Sequence, residues 1–193
     1  MKTLRPKKII LIGASTGGPG QIQKIINSLP KLHDVTLIIA QHMVQGFMDS
    51  FAKRLQDNSI NNIEVIKNNQ VLESAHIYLC EGNTYLKTSG SNLIFNQSEC
   101  SPNSFNPDIN VLFNSFIPLC NSVDIMSVIL TGIGDDGIDA CKTLSISGAK
   151  CITETGESAI VDGMPQRARA LVPDIEAEDI KTIIKMISEF CDV

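Results

Sequence analysis

Lys8-Ile9-Ile10-Leu11-Ile12-Gly13-Ala14-Ser15-Thr16-Gly17-Gly18 decides the fold. A short apolar run that stops at glycine predicts a fully buried strand over 8–13. Gly13-Ala14-Ser15-Thr16-Gly17 fits G-x-S-x-G, a tight turn that lifts a serine off the end of a strand. Gly17-Gly18 then opens a predicted helix over 19–29, whose free N–H groups would point at the same place. A strand, a glycine turn and a helix at the head of the chain predict a parallel α/β sheet.

The rest of the chain continues that alternation. Val35-Thr36-Leu37-Ile38-Ile39-Ala40 predicts a second buried strand, 47–56 a helix, and Ile63-Glu64-Val65-Ile66 a short third strand. The pattern then changes. His76-Ile77-Tyr78-Leu79-Cys80, Tyr85-Leu86-Lys87 and Leu93-Ile94-Phe95 are short runs divided by Glu81-Gly82-Asn83 and Ser89-Gly90-Ser91-Asn92, which predicts an antiparallel meander. Polar 96–106 predicts a long loop, and Pro107 at a first helical position predicts a helix to about Cys120. A buried strand over 125–130, a helix over 137–147, a strand over 150–153 and an amphipathic helix over 176–190 complete the chain. The expected architecture is a doubly wound, mostly parallel sheet with helices on both faces, Rossmann-like in three layers, within a single domain spanning 1–193.

Composition narrows the function classes. The chain has 193 residues, 43% hydrophobic and 19% charged, with a net charge of -5. It carries no concentrated basic patch, which argues against a nucleic-acid partner. No apolar stretch approaches the ~18 residues of a membrane span. The basic start, Met1-Lys2-Thr3-Leu4-Arg5-Pro6, is followed by too short an apolar run for a signal peptide. Six cysteines at 80, 100, 120, 141, 151 and 191 form no C-x-x-C pair, which predicts buried, reduced thiols in a cytoplasmic protein and no zinc site.

Parallel α/β sheets bind ligands beyond the carboxyl ends of their strands. Three such ends carry reactive residue types here: Ser15, then Gln41-His42-Met43, then Thr131-Gly132-Ile133-Gly134-Asp135-Asp136-Gly137. A serine hydroxyl is a weak nucleophile until an imidazole takes its proton, and the imidazole needs a carboxylate to hold its tautomer. Ser15, His42 and Asp136 could supply all three. Each also has a plainer reading: Ser15 as a helix N-cap, His42 as a structural histidine, Asp136 as a cap and Asp135 as a turn residue. A P-loop lacks its Lys-Ser/Thr, because Pro19-Gly20 follows. A dinucleotide site lacks the acidic end to its second strand. An α/β-hydrolase would place several strands before its serine. A phosphate site at the helix N-terminus stays open; Asp135-Asp136 could bind a divalent cation, but no third carboxylate is evident nearby in sequence.

Five segments resemble the catalytic domain of the chemotaxis protein-glutamate methylesterases, the CheB family, in the same order. They are Gly13–Gly18; Gln41-His42-Met43 with Gly46-Phe47 and 50–55; Asp108 through Phe113; 129–137; and Gly163-Met164-Pro165. The resemblance covers about Lys7 to Phe190. It implies hydrolysis of γ-glutamyl methyl esters on chemoreceptor cytoplasmic helices in the cytoplasm, with release of methanol and no metal or cofactor, as part of chemotactic signal transduction. Deamidation of receptor glutamines is the alternative chemistry, and a non-catalytic receptor-binding module the alternative class. By the family pattern Ser15 is nucleophile, His42 general base and acid, and Asp136 the orienting carboxylate. Thr16 and Ile133 would offer oxyanion N–H groups, and Met164 a substrate contact. Three positions depart from the pattern. Pro102-Asn103-Ser104-Phe105-Asn106 lacks the usual Arg/His side chains, Asp162 stands where an aromatic is common, and Ile133 stands in place of methionine. All three imply altered receptor specificity. Relatives also carry a receiver domain, which this chain does not include, and the expectation is constitutive activity.

Overall fold

The computed structural model describes residues 5–44, 46–98 and 105–192. Strand β1 spans Lys8–Ala14 and β2 spans Val35–Gln41, with α1 (Gly18–Ser28) between them. Both strands are buried along almost their whole length, because helices cover both faces of this part of the sheet. Helix α2 (Met48–Gln56) leads into β3 (Asn62–Val65), β4 (Gln70–Val71) and β5 (His76–Leu79). Strands β6 (Asn83–Ser89) and β7 (Asn92–Ser98) form a hairpin. The second half runs α3 (Ile109–Asn114), β8 (Asp124–Ile129), α4 (Ile138–Ile146), β9 (Lys150–Glu154), α5 (Gly163–Leu171), β10 (Glu176–Glu178) and α6 (Ile180–Asp192).

Seven strands form one parallel sheet in the order β10-β9-β8-β1-β2-β5-β3. From β1 the chain winds outward through β2 to the β3 edge, then returns to β8 on the other side of β1. The switch point therefore lies between β1 and β8, where a parallel sheet opens a crevice at its carboxyl ends. Side-chain alternation fills two cores. Ile10, Ile12, Leu37 and Ile39 face α1, α2 and α6, whereas Ile9, Leu11, Ile38 and Ala40 face α3, α4, α5 and the small sheet. Each fully buried Ile or Leu removes enough apolar area to contribute roughly 1.5–3 kcal/mol, an upper estimate.

Three expectations need correction, and one helix was not expected. His76–Leu79 is not a meander strand. It lies in the parallel sheet between β2 and β3, where Tyr78 is fully buried. The antiparallel sheet is instead β4-β7-β6. The helix expected from Pro107 to Cys120 is short, because Asp108 is its N-cap and Pro118 cannot continue it. A single 3-10 turn over Ile117–Leu119 follows. The helix expected over 176–190 begins only at Ile180. Glu176–Glu178 forms the edge strand beside β9, and the Asp179 side chain accepts the Lys181 and Thr182 N–H groups. Helix α5 has no counterpart in the sequence reading; its first turn holds Gly163 and Pro165, which that position tolerates.

The five described cysteines are free thiols. Cys80, Cys141 and Cys151 are buried, whereas Cys120 and Cys191 are half-buried rather than fully enclosed. Burial pushes the Cys191 thiol up to about 11. Cys100, most of the Pro102–Asn106 stretch and the N-terminal Met1-Lys2-Thr3-Leu4 lie outside the described residues. Among the described residues, no helix is long and apolar enough to cross a membrane.

Candidate active site

Ser15 follows the last residue of β1 and is fixed through its backbone. Its N–H donates to the Thr131 carbonyl (3.0 Å), and its carbonyl accepts the Gly18 N–H (2.9 Å) and the Gln41 side-chain amide (2.9 Å). Gly17 closes the turn at φ +86°, where a Cβ would also lie 2.8 Å from Ile160 Cβ. His42 follows β2, and its N–H donates to the Ala14 carbonyl (2.9 Å), which sets the histidine beside the serine turn. Asp136 leaves the β8 end between two left-handed glycines, Gly134 and Gly137. At Gly137 a Cβ would lie 2.5 Å from Ile109 Cγ2, so only glycine lets the loop close against α3.

These three elements bring Ser15, His42 and Asp136 into one hydrogen-bonded chain. Asp136 Oδ2 accepts from His42 Nε2 at 2.8 Å, and His42 Nδ1 lies 3.2 Å from Ser15 Oγ. Because a carboxylate only accepts, the proton belongs on Nε2. That leaves Nδ1 free to accept from the serine hydroxyl. The two ring nitrogens are used in the opposite sense to the chymotrypsin wiring, with the same logic of roles. Asp136 is buried, and its remaining lone pairs take the Ile109 N–H (2.8 Å, Oδ2) and Asn110 N–H (3.0 Å, Oδ1) at the start of α3. Asp108 caps the next N–H of that helix, from Val111, at 2.8 Å. Desolvation pushes the Asp108 carboxyl up, and the nearby Asp136 adds to this against the Val111 hydrogen bond.

The other expected residues divide. The Thr16 and Ile133 N–H groups meet no acceptor among the described residues. The Ile133 side chain is 64% exposed. Met164 is fully buried and packs beneath Gly132, its N–H donating to the Gly132 carbonyl (2.9 Å), so it floors the site rather than facing solvent. Two features were not foreseen. Phe105 stacks on the His42 ring with centroids 4.9 Å apart and planes 3° apart. Glu154, at the end of β9, is a fully buried carboxylate that accepts the Thr131 N–H (2.8 Å). A predicted strand over 150–153 followed directly by an acid was the one available signal for it. Beside the triad, a surface cleft of about 250 Å³ is lined by Pro19, Met43, Phe47, Ser50, Phe51 and Arg54. Among the described residues, no three His, Cys, Asp or Glu side chains converge as metal ligands.

Fold and site together define an α/β protein with a serine–histidine–aspartate chain at the switch point of a parallel sheet. Residues 10–187 match the CheB methylesterase family model, and the chain belongs to that family. It is 32% identical over 192 residues to the protein-glutamate methylesterase/protein-glutamine glutaminase of Methanosarcina barkeri, covering 92% of this chain and 52% of that protein. It is 34% identical over 163 residues to the protein-glutamate methylesterase/protein-glutamine glutaminase of the group 3 operon of Rhizobium meliloti, covering 84% and 46%. The chain thus spans about half the length of the curated relatives it matches. It superposes on the crystal structure of the Thermotoga maritima CheB methylesterase catalytic domain with a TM-score of 0.85 and 26% identity, over 94% of this chain and 97% of that one.

Proposed function

We propose that this chain is a catalytic domain that hydrolyses glutamate γ-methyl esters on chemoreceptor cytoplasmic helices, releasing methanol and restoring the carboxylate. The observation that carries the proposal is the continuous Ser15–His42–Asp136 hydrogen-bond chain. Ser15 Oγ attacks the ester carbonyl while His42 Nδ1 takes its proton. Asp136 holds the Nε2–H tautomer and stabilises the imidazolium. The tetrahedral oxyanion is received by the Thr16 N–H and the Ile133 N–H, neither of which meets an acceptor among the described residues. His42 returns the proton to methoxide, methanol leaves, and a water activated by His42 releases the glutamate from the acyl-enzyme. Met164 supports the floor beneath Gly132, and the cleft beside Pro19 and Met43 accommodates the flanking substrate segment.

The double name of the relatives favours a second activity of the same residues, deamidation of glutamine with ammonia as the leaving group. A receiver domain is the regulatory partner this reading implies, and the cytoplasm the compartment. Methanol release from methylated receptor membranes tests the proposal. Release by the parent that Ser15→Ala abolishes supports a serine esterase. No release by folded parent protein from receptor membranes or from a small activated ester overturns it. Ammonia release from unmodified receptor, also lost in Ser15→Ala, identifies the deamidase.

A further inference from the structure

We propose that Glu154 is a positioning residue that holds the oxyanion-binding turn in its reactive geometry, acting through Thr131; this rests on the esterase reading above. Glu154 touches none of the three triad side chains, yet both of its oxygens are engaged. Oε2 accepts the Thr131 N–H at 2.8 Å. Oε1 accepts the Gln21 side-chain amide at 2.7 Å and the Ser158 hydroxyl at 2.9 Å. Among the described residues, no cation reaches the carboxylate directly. Lys24 Nζ meets it only through Gln21, donating to Gln21 Oε1 at 2.9 Å, and Arg169 Nη1 donates to the Glu154 backbone carbonyl at 2.6 Å. A buried carboxylate held by three neutral donors is costly unless every donor is fixed in place.

Thr131 transmits that constraint to the serine turn. Its carbonyl accepts the Ser15 N–H at 3.0 Å, and its hydroxyl donates to the Thr16 carbonyl at 2.9 Å while accepting the Val161 N–H at 2.8 Å. The peptides on either side of the Ser15–Thr16 peptide are therefore both clamped by one residue. The carbonyl of the peptide between them is tied down by Gly18 and Gln41. Its N–H, trans to that carbonyl, has one direction left to point. Oxyanion stabilisation depends on donors already aimed where charge develops, so a small rotation of this peptide should weaken turnover before it weakens binding.

The test uses a small activated ester, p-nitrophenyl acetate, with each variant counted by irreversible phosphonylation of its serine. Glu154→Ala leaves the Thr131 N–H buried and unpaired. It should lower kcat per titrated site on the order of 10- to 100-fold with KM little changed. Glu154→Gln keeps an amide oxygen facing Thr131 and should recover most of that loss. Unchanged kcat per titrated site in Glu154→Ala overturns the proposal, and so does a loss that appears only in the titrated fraction or only in KM. If the parent hydrolyses the ester no faster than Ser15→Ala and releases no methanol from receptor membranes, the esterase reading has failed on its own account. Amide hydrogen exchange then decides about Glu154. Faster exchange in Glu154→Ala confined to Ser15, Thr131 and the turn between β1 and α1 supports the positioning role. Unaltered exchange there, or acceleration spread over the whole sheet, overturns it.

Discussion

Two buried carboxylates stand on either side of the strap that leaves β8, and they are satisfied in different ways. Asp136 takes two N–H groups from the start of α3 and reserves a third position for His42, which is itself partly open to solvent. Glu154 gives all three of its positions to Thr131, Gln21 and Ser158 and faces no solvent at all. On the proposed reading, the same chemical group serves a moving proton at one end of the strap and a fixed backbone at the other. What separates the two roles is the identity of one hydrogen-bond partner: a titratable ring at Asp136, only amides and a hydroxyl at Glu154.

Amide substitution at the two sites should separate them most widely. Asp136→Asn leaves shape and volume nearly intact but places an N–H₂ among three N–H donors. The histidine can then answer by giving up its Nε2 proton, and the tautomer that results cannot accept from Ser15. Turnover should fall on the order of 10³- to 10⁴-fold. Glu154→Gln, the same change at the other end, should cost at most a few-fold. Steady-state kinetics of both variants on p-nitrophenyl acetate checks the contrast. Equal losses would mean that both carboxylates act in one proton relay, and the division of roles would be wrong.

Gly132 lies on the strap between the two carboxylates and tests whether it is rigid. A Cβ there would lie 2.7 Å from Ser15 Cβ, 3.1 Å from Ser15 N and 2.4 Å from Met164 Sδ. The Met164 side chain can give way, but the serine backbone is held by Thr131. Gly132→Ala should therefore destabilise the fold by about 1–3 kcal/mol and displace Ser15. Gly20, in the first turn of α1, is the control, because a Cβ there meets nothing within 4 Å. Gly20→Ala should stabilise by about 0.4–1 kcal/mol without changing kcat. Denaturant unfolding of both variants, with kinetics, reads the two effects. A Gly132→Ala protein with parental stability and rate would show that the strap yields.

The same contrast explains what was legible in the sequence. Ser15, His42 and Asp136 each follow a buried strand at the sheet's carboxyl edge, so strand periodicity and glycine spacing marked their segments, while the family resemblance singled out the residues, Asp136 rather than Asp135 among them. The central strands were legible for the same reason, since near-complete burial leaves a continuous apolar run. Glu154 was not, because its role depends on Thr131, 23 residues earlier, and on Gln21 in another helix. Strand β5 was misplaced because four residues carry no mark of parallel against antiparallel pairing, and turn residues flank it on both sides. Phe105 was read as part of a polar loop, and nothing local places its ring on His42. Local pattern reports what an element buries, whereas contacts between distant elements fix these residues.

Asp108 distinguishes the two ends of the strap by charge and gives the smallest expected effect. It caps Val111 beside Asp136, so two carboxylates share the start of α3, whereas Glu154 has no acidic neighbour among its hydrogen-bond partners. Its carboxyl is raised above the ordinary 3.8, first by desolvation and then, after the opposing Val111 hydrogen bond, by Asp136. A raised folded-state value means that the fold holds this proton more tightly than the unfolded chain does. Its contribution to stability is fully present below the unfolded value and is lost as pH rises through the folded one. At pH 7 the ionised group therefore opposes folding slightly, and because this side chain is only half-buried the effect stays small. Asp108→Asn retains an acceptor for the Val111 N–H and removes the charge. Thermal unfolding should show a slightly higher Tm for the variant at pH 7, with the gap closing as pH falls toward 3. A variant less stable than the parent at pH 7, by a margin that does not change with pH, would mean that the geometry of the cap outweighs the charge. The crowding of two carboxylates at α3 would then carry no energetic weight.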